Sequence, residues 1–299
     1  MELPPDGHEP VLLQEVLDFL RPATGQTFVD CTLGRAGHAM AIAARLGPRG
    51  LLIGLDADPR NLEFAAEKLK TSPCPTRLFH ANFSELPDVL QTCGWPPIHG
   101  ILADLGISTN QLFDPAYGMS FDRDMPLDMR IDPRLAQTAA DLVNHLPEKD
   151  LANVLYELAQ EHYSRGIARK IGEARKNWPI KTTEALAELV RQAVGKTDRS
   201  RIDPATRTFL ALRMAVNGEM ENLARLLRDG PAFLAPGGRM AVISFQSMED
   251  RAVKNVFRSL EQTGVVTILT KKPLAPTSEE TARNPRSRSA KLRAIEKKH

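Results

Sequence analysis

Apolar residues in the first third of the chain alternate between short runs and helical spacing. The short runs, each typical of a buried strand, occupy residues 28–30, 51–56, 77–80 and 100–106. Between the first two runs lies a helical pattern that stops at Gly47 and Pro48, and a second one begins with Pro59 directly after Asp58. Strands that alternate with helices predict a parallel sheet with right-handed crossovers, and ligands bind such sheets at the carboxyl ends of the strands.

Helical spacing replaces the strand pattern from residue 137 to about residue 195. Apolar residues recur there at intervals of three and four, as expected for helices with one buried face. The three sets are Leu151, Val154, Leu155 and Leu158; Tyr163, Ile167 and Ile171; and Leu186, Leu189 and Val190. We therefore predict an all-helical domain of residues 135–203, inserted into an α/β domain formed by residues 1–134 and 204–299.

The α/β pattern returns in the last third of the chain. Two helices are expected at about 207–217 and 219–229, followed by the turn LAPGG at 234–238 and a strand at 239–245. Two further strands are expected at 265–270 and at 288–297. The turn before the strand at 239 resembles the one that precedes the fifth strand of class I methyltransferases, whose sheet ends with an antiparallel pair.

The first strand is followed by two glycines in the spacing D-x-x-x-G-x-x-G, formed by Asp30, Gly34 and Gly37. Glycine lets the chain turn sharply and approach a ligand closely, although many α/β turns carry such glycines for steric reasons alone. Asp56 ends the second strand, 22 residues after Gly34, where a carboxylate can bind the hydroxyls of a nucleotide ribose. Nicotinamide sites and S-adenosylmethionine sites share this arrangement.

Two features favour S-adenosylmethionine over a nicotinamide cofactor. The loop lacks the G-x-G-x-x-G spacing suited to a pyrophosphate, and Asp30 suits the cationic amino-acid tail of an adenosyl cofactor. Asp104 ends the fourth strand, beside the crevice where methyl donor and acceptor must meet. By position alone, Asp104 is equally well explained as a residue that caps the following turn.

Composition narrows the class of protein further. The chain has 299 residues, 42% hydrophobic and 25% charged, as in ordinary soluble proteins. Cys31, Cys74 and Cys93 are odd in number and lack metal-site spacing, which argues against disulfides and against a zinc site. No apolar run is long enough to span a bilayer, and the first residues lack the features of a signal peptide. We expect a cytoplasmic protein with no membrane association.

The formal net charge of +2 hides an uneven distribution. Residues 271–299 carry nine Lys and Arg against three Asp and Glu, a net charge of +6, so residues 1–270 have a net charge of −4. If 265–270 and 288–297 are the last two strands, their connection emerges at the carboxyl edge of the sheet. The basic segment is then a loop and a strand that face the substrate rather than a disordered tail.

Seven blocks of the sequence resemble, in order, those of the RsmH (MraW) family of bacterial ribosomal RNA methyltransferases. The blocks are HEPVLL (8–13), DCTLGRAGH (30–38), ILADLGIS (101–108), PLDMRID (126–132), DPATRTFLALRMAVNGE (203–219), ISFQSMEDRAVK (243–254) and NPRSRSAKLR (284–293). The resemblance implies a class I, Rossmann-like, S-adenosylmethionine-dependent methyltransferase with an inserted helical domain. It also implies transfer of a methyl group to the N4 amine of a cytidine in the decoding region of small-subunit (16S) ribosomal RNA.

The resemblance assigns roles to individual residues. The residues that it implies for binding S-adenosylmethionine are Ala36, Gly37, His38, Asp56, Phe83, Asp104 and Gln111. We give Asp104 the catalytic role of orienting the acceptor amine, and we expect no metal. The basic cluster expected to bind the RNA of the small ribosomal subunit is Arg286, Arg288, Lys291 and Arg293. Weaker RNA candidates, each better explained by an ion pair or a solvated charge, are Asp128, Arg130, Arg207, Arg213, Arg251 and Lys254.

The chain departs from the family pattern at several positions. Ala36 replaces a usual glycine, and Gln246 replaces a usual histidine that offers a general base. Thr109-Asn110 replaces Ser-Pro, and Tyr117-Gly118-Met119 replaces Arg-Gly-Phe. These changes keep open a catalytically weakened or retargeted ribosome-binding homologue of the same fold.

Two other classes of enzyme fit the sequence less well. An NAD(P)-dependent oxidoreductase requires a denser glycine loop, and a DNA amino-methyltransferase requires an (Asp/Asn/Ser)-Pro-Pro-(Tyr/Phe) motif where DLGI stands. The oligomeric state, monomer or homodimer, stays open.

Overall fold

The computed structural model describes residues 9–195 and 203–299. His8, the first residue of the block HEPVLL, and residues 196–202 of the expected insertion lie outside the described residues. The described chain divides into two compact units. The α/β unit comprises residues 9–106 and 220–299, and the helical unit comprises residues 107–195 and 203–219.

The described part of the α/β unit contains a seven-stranded sheet in the order β3-β2-β1-β4-β5-β7-β6. The strands are β1 Thr27–Asp30, β2 Leu51–Asp56, β3 Thr76–His80, β4 Ile98–Asp104, β5 Leu234–Ser244, β6 Val266–Ile268 and β7 Lys291–Lys297. Strands β1 to β5 pair in parallel, whereas β7 runs antiparallel to both β5 and β6. The parallel sheet and its antiparallel ending, both predicted from the sequence, are confirmed.

Helices cover both faces of this sheet. They are α1 Leu13–Leu20, α2 Gly37–Leu46, α3 Pro59–Leu69, α4 Leu86–Thr92, α11 Glu219–Phe233, α12 Ser247–Gln262 and α13 Ser278–Arg283. Neighbouring residues of one strand join different apolar clusters: Phe28 packs with α1 and α2, whereas Val29 packs with α4 and α11. Because both faces are buried, the strands read as continuous apolar runs rather than as alternating patterns.

The helical unit contains the helices predicted between residues 137 and 195, a short unpredicted helix before them, and the helix that was expected at about 207–217 in the α/β domain. They are α5 Thr109–Phe113, α6 Ala139–His145, α7 Glu148–Ala159, α8 Ser164–Ala174, α9 Thr183–Val194 and α10 Ala205–Val216. Most residues of the periodic pattern lie in its core, since Leu151, Leu155, Ile167, Ile171 and Leu186 are fully buried. Tyr163 is 45% exposed, so its predicted place on the buried face is wrong.

The helical unit extends beyond the insertion of residues 135–203 at both ends. On the amino-terminal side, Leu127 and Met129 of the loop before α6 belong to its apolar core, and on the carboxyl-terminal side Phe209 and Leu212 of α10 do so. The periodicity of the sequence marks helices but not the core into which a neighbouring loop packs. The expected boundaries therefore change to 107 and 219.

Two strand boundaries in the last third also differ from expectation. LAPGG is not a separate turn, because β5 begins at Leu234 and its register with β4 shifts where Ile98 pairs with Leu234 and Gly100 with Arg239. Strand β7 begins at Lys291 rather than at 288, since residues 285–289 form a 3₁₀ turn. The second half of the basic segment is thus built into the sheet between β5 and β6.

The residue directly before helix α2 has a strained backbone. Ala36, the residue before the helix, has φ 57° and ψ 33°, the left-handed conformation, and it is fully buried. A side chain with a Cβ pays about 1–2 kcal/mol for this conformation, which glycine adopts without cost. The replacement of glycine by alanine at this position therefore lowers the stability of the fold.

We expect Ala36→Gly to be more stable than Ala39→Gly by about 1–2 kcal/mol in the free energy of unfolding. Both alanines are fully buried in the same apolar cluster, so loss of the methyl group and gain of chain entropy in the unfolded state are matched. Only the substitution Ala36→Gly relieves backbone strain, because Ala39 lies within the right-handed helix α2. Urea denaturation measures both variants, and equal destabilisation would contradict the strain.

Candidate active site

Three aspartates end three adjacent strands on one face of the sheet. Asp30 of β1 pairs with Gly54 of β2 and with Leu102 of β4. Asp56 and Asp104 therefore lie two residues beyond Asp30 on its two neighbouring strands. Because side chains alternate between the faces of a sheet, residues two apart share a face, and all three carboxyl groups point to the same side. The strand order brings together three acids that are 26 and 48 residues apart in the chain.

The loop between β1 and α2 binds to all three aspartates. The backbone N–H of Thr32 donates to Asp30 Oδ1 (3.1 Å), and the N–H of Gly34 donates to Asp56 Oδ2 (2.7 Å). The N–H of Asp104 donates to Thr32 Oγ1 (2.7 Å). Gly34 has φ 51°, so the first glycine of the motif is required by the turn itself.

The second glycine of the motif allows close packing. Gly37 is the first residue of α2, and a Cβ at this position would lie 3.2 Å from the Pro10 side chain. A larger residue would push the segment before α1 away from the start of α2. Gly37 therefore shapes the site through packing, whereas Gly34 shapes it through backbone conformation.

Burial raises the pKa of each aspartate. For Asp104, burial together with the charges of Asp30 and Glu249 raises the pKa to about 8. Burial raises the pKa of Asp30 to about 7, although the hydrogen bond from Thr32 opposes it. Burial likewise raises the pKa of Asp56 to about 6, against the backbone hydrogen bonds from Asp58 and Gly34. The site gathers three acids away from water, and no Lys or Arg among the described residues forms an ion pair with them.

One carboxyl oxygen in this site has no protein partner. Asp104 Oδ1 is buried and makes no hydrogen bond with any residue that the structure describes. A buried acceptor left unpaired costs about 1–3 kcal/mol. Such an atom at the mouth of an acidic site is suited to a ligand that supplies hydrogen-bond donors or positive charge.

His38 faces the same carboxyl group from the first turn of α2. Its Nε2 lies 2.9 Å from the carbonyl oxygen of Val11, and its Nδ1 lies 3.9 Å from Asp104 Oδ2. Since a carbonyl can only accept, Nε2 carries the hydrogen, and in the neutral ring Nδ1 is left as an acceptor. The segment before α1 thereby fixes the orientation of the imidazole toward Asp104.

The α/β unit thus brings five of the expected cofactor residues to one edge, namely Ala36, Gly37, His38, Asp56 and Asp104. Phe83 begins a 3₁₀ turn after β3 and packs, half-buried, against the apolar cluster on the opposite face of the sheet. Gln111 belongs to the helical unit, where its Oε1 accepts from the N–H of Ser108 at the start of α5. For Gln111 the structure thus gives a helix-capping role.

Asp30, which the sequence predicts to face the cationic tail of the cofactor, lies between the other two acids in the sheet. Two further residues, which the sequence does not predict for the site, contribute to it. Thr32 joins the strand ends through both its backbone and its hydroxyl. Glu249, 2% exposed, accepts from the N–H groups of Phe245 and Gln246 and adds negative charge near Asp104. The strand-end position was a signal for Asp30, whereas nothing in the sequence marked Thr32 or Glu249.

The residues present fit a cofactor with a cationic amino-acid tail and a ribose. The buried carboxyl groups of Asp30 and Asp104 need a nearby positive charge to ionise at neutral pH. Asp56 accepts hydrogen bonds from the N–H groups of Gly34 and Asp58 and from the side chain of Asn61, which leaves about one acceptor site of the carboxylate for a hydroxyl group. These are the groups that S-adenosyl-L-methionine carries.

The expected RNA-binding cluster separates into two parts. Arg293 is only 7% exposed, and its Nε donates to Asp250 Oδ1 at 2.6 Å, so it is a structural ion pair rather than a surface cation. Lys291 Nζ lies 3.6 Å from the same carboxyl group. Burial raises the pKa of Asp250, but the hydrogen bond and charge of Arg293 outweigh burial and lower it overall. The expectation that Arg293 contacts RNA is therefore corrected, because β7 turns its side chain inward.

Arg286 and Arg288 lie on the 3₁₀ turn Pro285–Ser289, just before β7. Arg288 is exposed, whereas Arg286 is half-buried, and burial lowers its pKa. Strand β7 starts opposite Ser244, the last residue of β5. The turn therefore lies at the carboxyl edge of the sheet, where the sequence analysis expected it.

Among the weaker RNA candidates, two arginines form internal ion pairs. Arg130 donates through Nε and Nη2 to the two oxygens of Asp128 at 2.8 and 2.9 Å. Arg213 donates in the same way to Glu219 at 2.7 and 2.8 Å. Both guanidinium groups are engaged by nearby carboxylates, which favours the ion-pair interpretation of these residues.

In the part of the chain that the structure describes, no three His, Cys, Asp or Glu side chains are grouped so that they could hold a metal ion. Over residues 9–195 and 203–299, none of the helices combines the length and apolar composition needed to cross a bilayer.

Comparison with known proteins agrees with this site. The model of the MraW methylase family matches residues 6–298. The ribosomal RNA small subunit methyltransferase H of Acidobacterium capsulatum is 46% identical over 98% of this chain and 99% of its own length. The protein of the same name from Syntrophobacter fumaroxidans is 45% identical over 97% and 96%. A solved rRNA methylase from Streptococcus thermophilus is more distant, with 11% identity, a TM-score of 0.47 and coverage of 97% and 98%. The chain belongs to the MraW methylase family and is an S-adenosylmethionine-dependent methyltransferase.

Proposed function

We propose that this chain transfers a methyl group from S-adenosyl-L-methionine to the N4 amine of a cytidine in the decoding region of small-subunit (16S) ribosomal RNA. The names of the curated relatives support small-subunit ribosomal RNA as the substrate class. The observation that carries the chemistry is the buried, unpartnered Oδ1 of Asp104 at the end of β4. The resemblance of the sequence blocks supports cytosine N4 as the acceptor.

The acceptor amine is a poor nucleophile, because its lone pair is delocalised into the cytosine ring. The bound cofactor supplies an electrophilic methyl group on a sulfonium. The protein therefore needs to align the reacting atoms more than it needs a strong base. Positioning can lower an activation barrier by roughly 7–11 kcal/mol, and alignment here can supply several of these. The rigid ends of β1, β2 and β4 are suited to such positioning.

Asp104 is the residue that we assign to the amine. Its ionised Oδ1 would accept a hydrogen bond from the N4 amine, draw the nitrogen lone pair out of conjugation and stabilise the positive charge that develops on nitrogen. His38 holds an acceptor nitrogen beside Asp104 Oδ2. Asp30 and Asp56 serve binding in this proposal: Asp30 faces cationic groups and Asp56 the ribose.

The proposed partner is the small ribosomal subunit or its RNA, and the proposed location is the cytoplasm. The target base must leave its stack before it can reach the methyl group. Arg286 and Arg288, with Lys291 beside them, are the proposed phosphate contacts of the α/β unit. We assign recognition of the surrounding RNA to the helical unit.

Gln246 favours a second candidate function, a ribosome-binding homologue with weakened catalysis. The residue directly precedes α12, and its backbone N–H donates to Glu249 Oε2 at 2.9 Å. With glutamine in place of the usual histidine, the position lacks a titratable group. Detectable cofactor binding without turnover would support this candidate.

The function is tested by transfer of labelled methyl groups to small ribosomal subunits that lack the modification. We expect one methyl group per subunit, on a cytidine N4, with naked ribosomal RNA and DNA run beside it as alternative acceptors. Mass spectrometry of the isolated nucleosides identifies the methylated atom. A folded preparation that binds S-adenosyl-L-methionine but transfers no label to the subunits would contradict the proposal.

Asp104→Ala is expected to abolish methyl transfer, and Asp104→Asn to lower kcat by roughly 10²–10³-fold, because the transition-state charge loses its carboxylate. The affinity for the cofactor, measured separately by calorimetry, should fall far less than kcat. If turnover persists and only cofactor binding weakens, Asp104 binds the cofactor and does not orient the amine.

Cofactor affinity is expected to increase from about pH 6 to about pH 8 and then to level off. The raised pKa values of Asp56, Asp30 and Asp104, about 6, 7 and 8, mean that binding a cation at lower pH must release protons. Since the folded apo-protein binds more of these protons than the unfolded chain does, its free energy of unfolding should fall as the pH rises from about 4, the ordinary range of an aspartate, to about 8. Calorimetry in buffers of different ionisation enthalpy counts the protons released. S-adenosylhomocysteine, which lacks the sulfonium charge, should show a weaker pH dependence.

Arg286→Gln with Arg288→Gln is expected to weaken RNA binding and to reduce the slope of log K against log salt by about 1.4, or 0.7 for each lost phosphate contact. Affinity for the cofactor should not change. Arg228→Gln, an exposed arginine on α11 that pairs with its neighbour Asp229, is the matched control. An unchanged salt slope in the double variant would exclude these two arginines from the RNA interface.

A further inference from the structure

Helix α8 carries a row of cations on its outer face. Ile167 and Ile171 are fully buried, whereas Arg165, Arg169 and, in the turn after the helix, Lys176 are exposed. Four residues correspond to about one turn and a rise of about 6 Å, so Arg165 and Arg169 point the same way. None of these three cations forms an ion pair with a residue that the structure describes. Glu173 is the one acid in this row.

The charge of this segment contrasts with that of the rest of its unit. Residues 162–181 hold six Lys and Arg against one Glu. The remainder of 107–219 holds ten basic residues against fifteen acidic ones. Positive charge is thus concentrated in twenty residues of a domain that is otherwise acidic, as expected for a surface that binds a polyanion.

An exposed tryptophan lies close to the last of these cations in the chain. Trp178 lies four residues after the end of α8 and two after Lys176, and it is 72% exposed, more than any other large apolar side chain described. Tyr163, at the start of the same helix, is 45% exposed. A tryptophan left in water adds little to the stability of the fold, so the folded core does not explain it. An exposed indole at the carboxyl end of a helix that carries cations does match a known requirement, since single-stranded nucleic acids bind through base stacking on aromatic rings together with phosphate contacts.

We propose that Arg165, Arg169, Lys176 and Trp178 form a binding surface for a single-stranded segment of RNA. The two guanidinium groups and Lys176 bind successive phosphates, and a base stacks on the indole of Trp178. This inference rests on the proposed function, because it names the part of the helical unit that holds the RNA substrate. An acidic protein segment would also meet the cations, but it lacks the planar rings that an exposed indole accommodates.

Fluorescence tests the stacking directly, because the chain has two tryptophans, Trp95 and Trp178. In Trp95→Phe the emission comes from Trp178 alone, and a single-stranded oligoribonucleotide should quench it in a saturable manner. In Trp178→Phe the emission comes from Trp95, which contacts Phe233 in the α/β unit, and it should stay unchanged. No quenching of Trp178, or quenching by a polyglutamate peptide at equal or lower concentration than RNA, overturns the proposal.

Affinity measurements test the individual contacts. Trp178→Ala should raise the Kd for the oligoribonucleotide roughly tenfold, whereas Trp178→Phe retains a stacking face and should stay near the wild-type value. Tyr156→Ala, which removes another exposed aromatic ring on α7, is the matched control. Arg165→Gln with Arg169→Gln should lower the salt slope by about 1.4, and Arg123→Gln with Lys149→Gln removes the same charge from exposed sites outside the row. Equal slopes in the two double variants would overturn the phosphate contacts.

Methyl transfer separates this inference from the proposed function. With small subunits as acceptor, Trp178→Ala should raise KM for the subunit and leave kcat unchanged. Turnover by the wild-type chain with no change in KM for Trp178→Ala would refute the surface and leave the proposed function standing. Absence of turnover by the wild-type chain would refute the proposed function, and the fluorescence titration would still decide whether the surface binds RNA.

Discussion

The site depends on one electrostatic constraint: three carboxyl groups at the ends of β1, β2 and β4 share one buried face. Each carboxyl group raises the cost of ionising its neighbours, and burial removes the water that would screen them. A fold does not keep such an arrangement for stability, since it is most favourable when the acids are protonated. Its use lies in binding a ligand that carries positive charge and hydrogen-bond donors.

The surrounding structure holds these acids in place against that cost. The β1–α2 loop donates to Asp30 and Asp56 and accepts from the backbone of Asp104 through Thr32. The same loop ends at Ala36 in the left-handed conformation, and the packing around this buried residue offsets the cost of its backbone strain. Rigid strand ends and a tethered loop are what a methyl transfer with little acid–base chemistry requires, because its rate depends on alignment.

In both units some basic residues form internal ion pairs and others remain at the surface. In the α/β unit, Arg293 is drawn into the sheet by Asp250, so that only the turn before β7 keeps cations at the surface. In the helical unit, Arg130 and Arg213 likewise form internal ion pairs. Arg165 and Arg169 on the outer face of α8 form no ion pair with a described residue. Positive charge in the sequence therefore does not identify an RNA contact until the acids around it are located.

The sequence by itself determined the carboxyl ends of β1, β2 and β4, the glycine turn and most of the apolar faces of the helices, because these follow from local periodicity and backbone preference. Asp56 and Asp104 could be chosen in advance, since the end of a parallel strand is defined locally and the family resemblance marks the same positions. Only the tertiary structure decided that Asp30 lies between them, that Thr32 joins the loop to the strands, and that residues 107–134 pack with the helices. Those facts depend on strand order and on contacts between residues far apart in the chain. The same holds for Arg293 and Trp178, whose exposure is set by packing and not by the residues beside them in sequence.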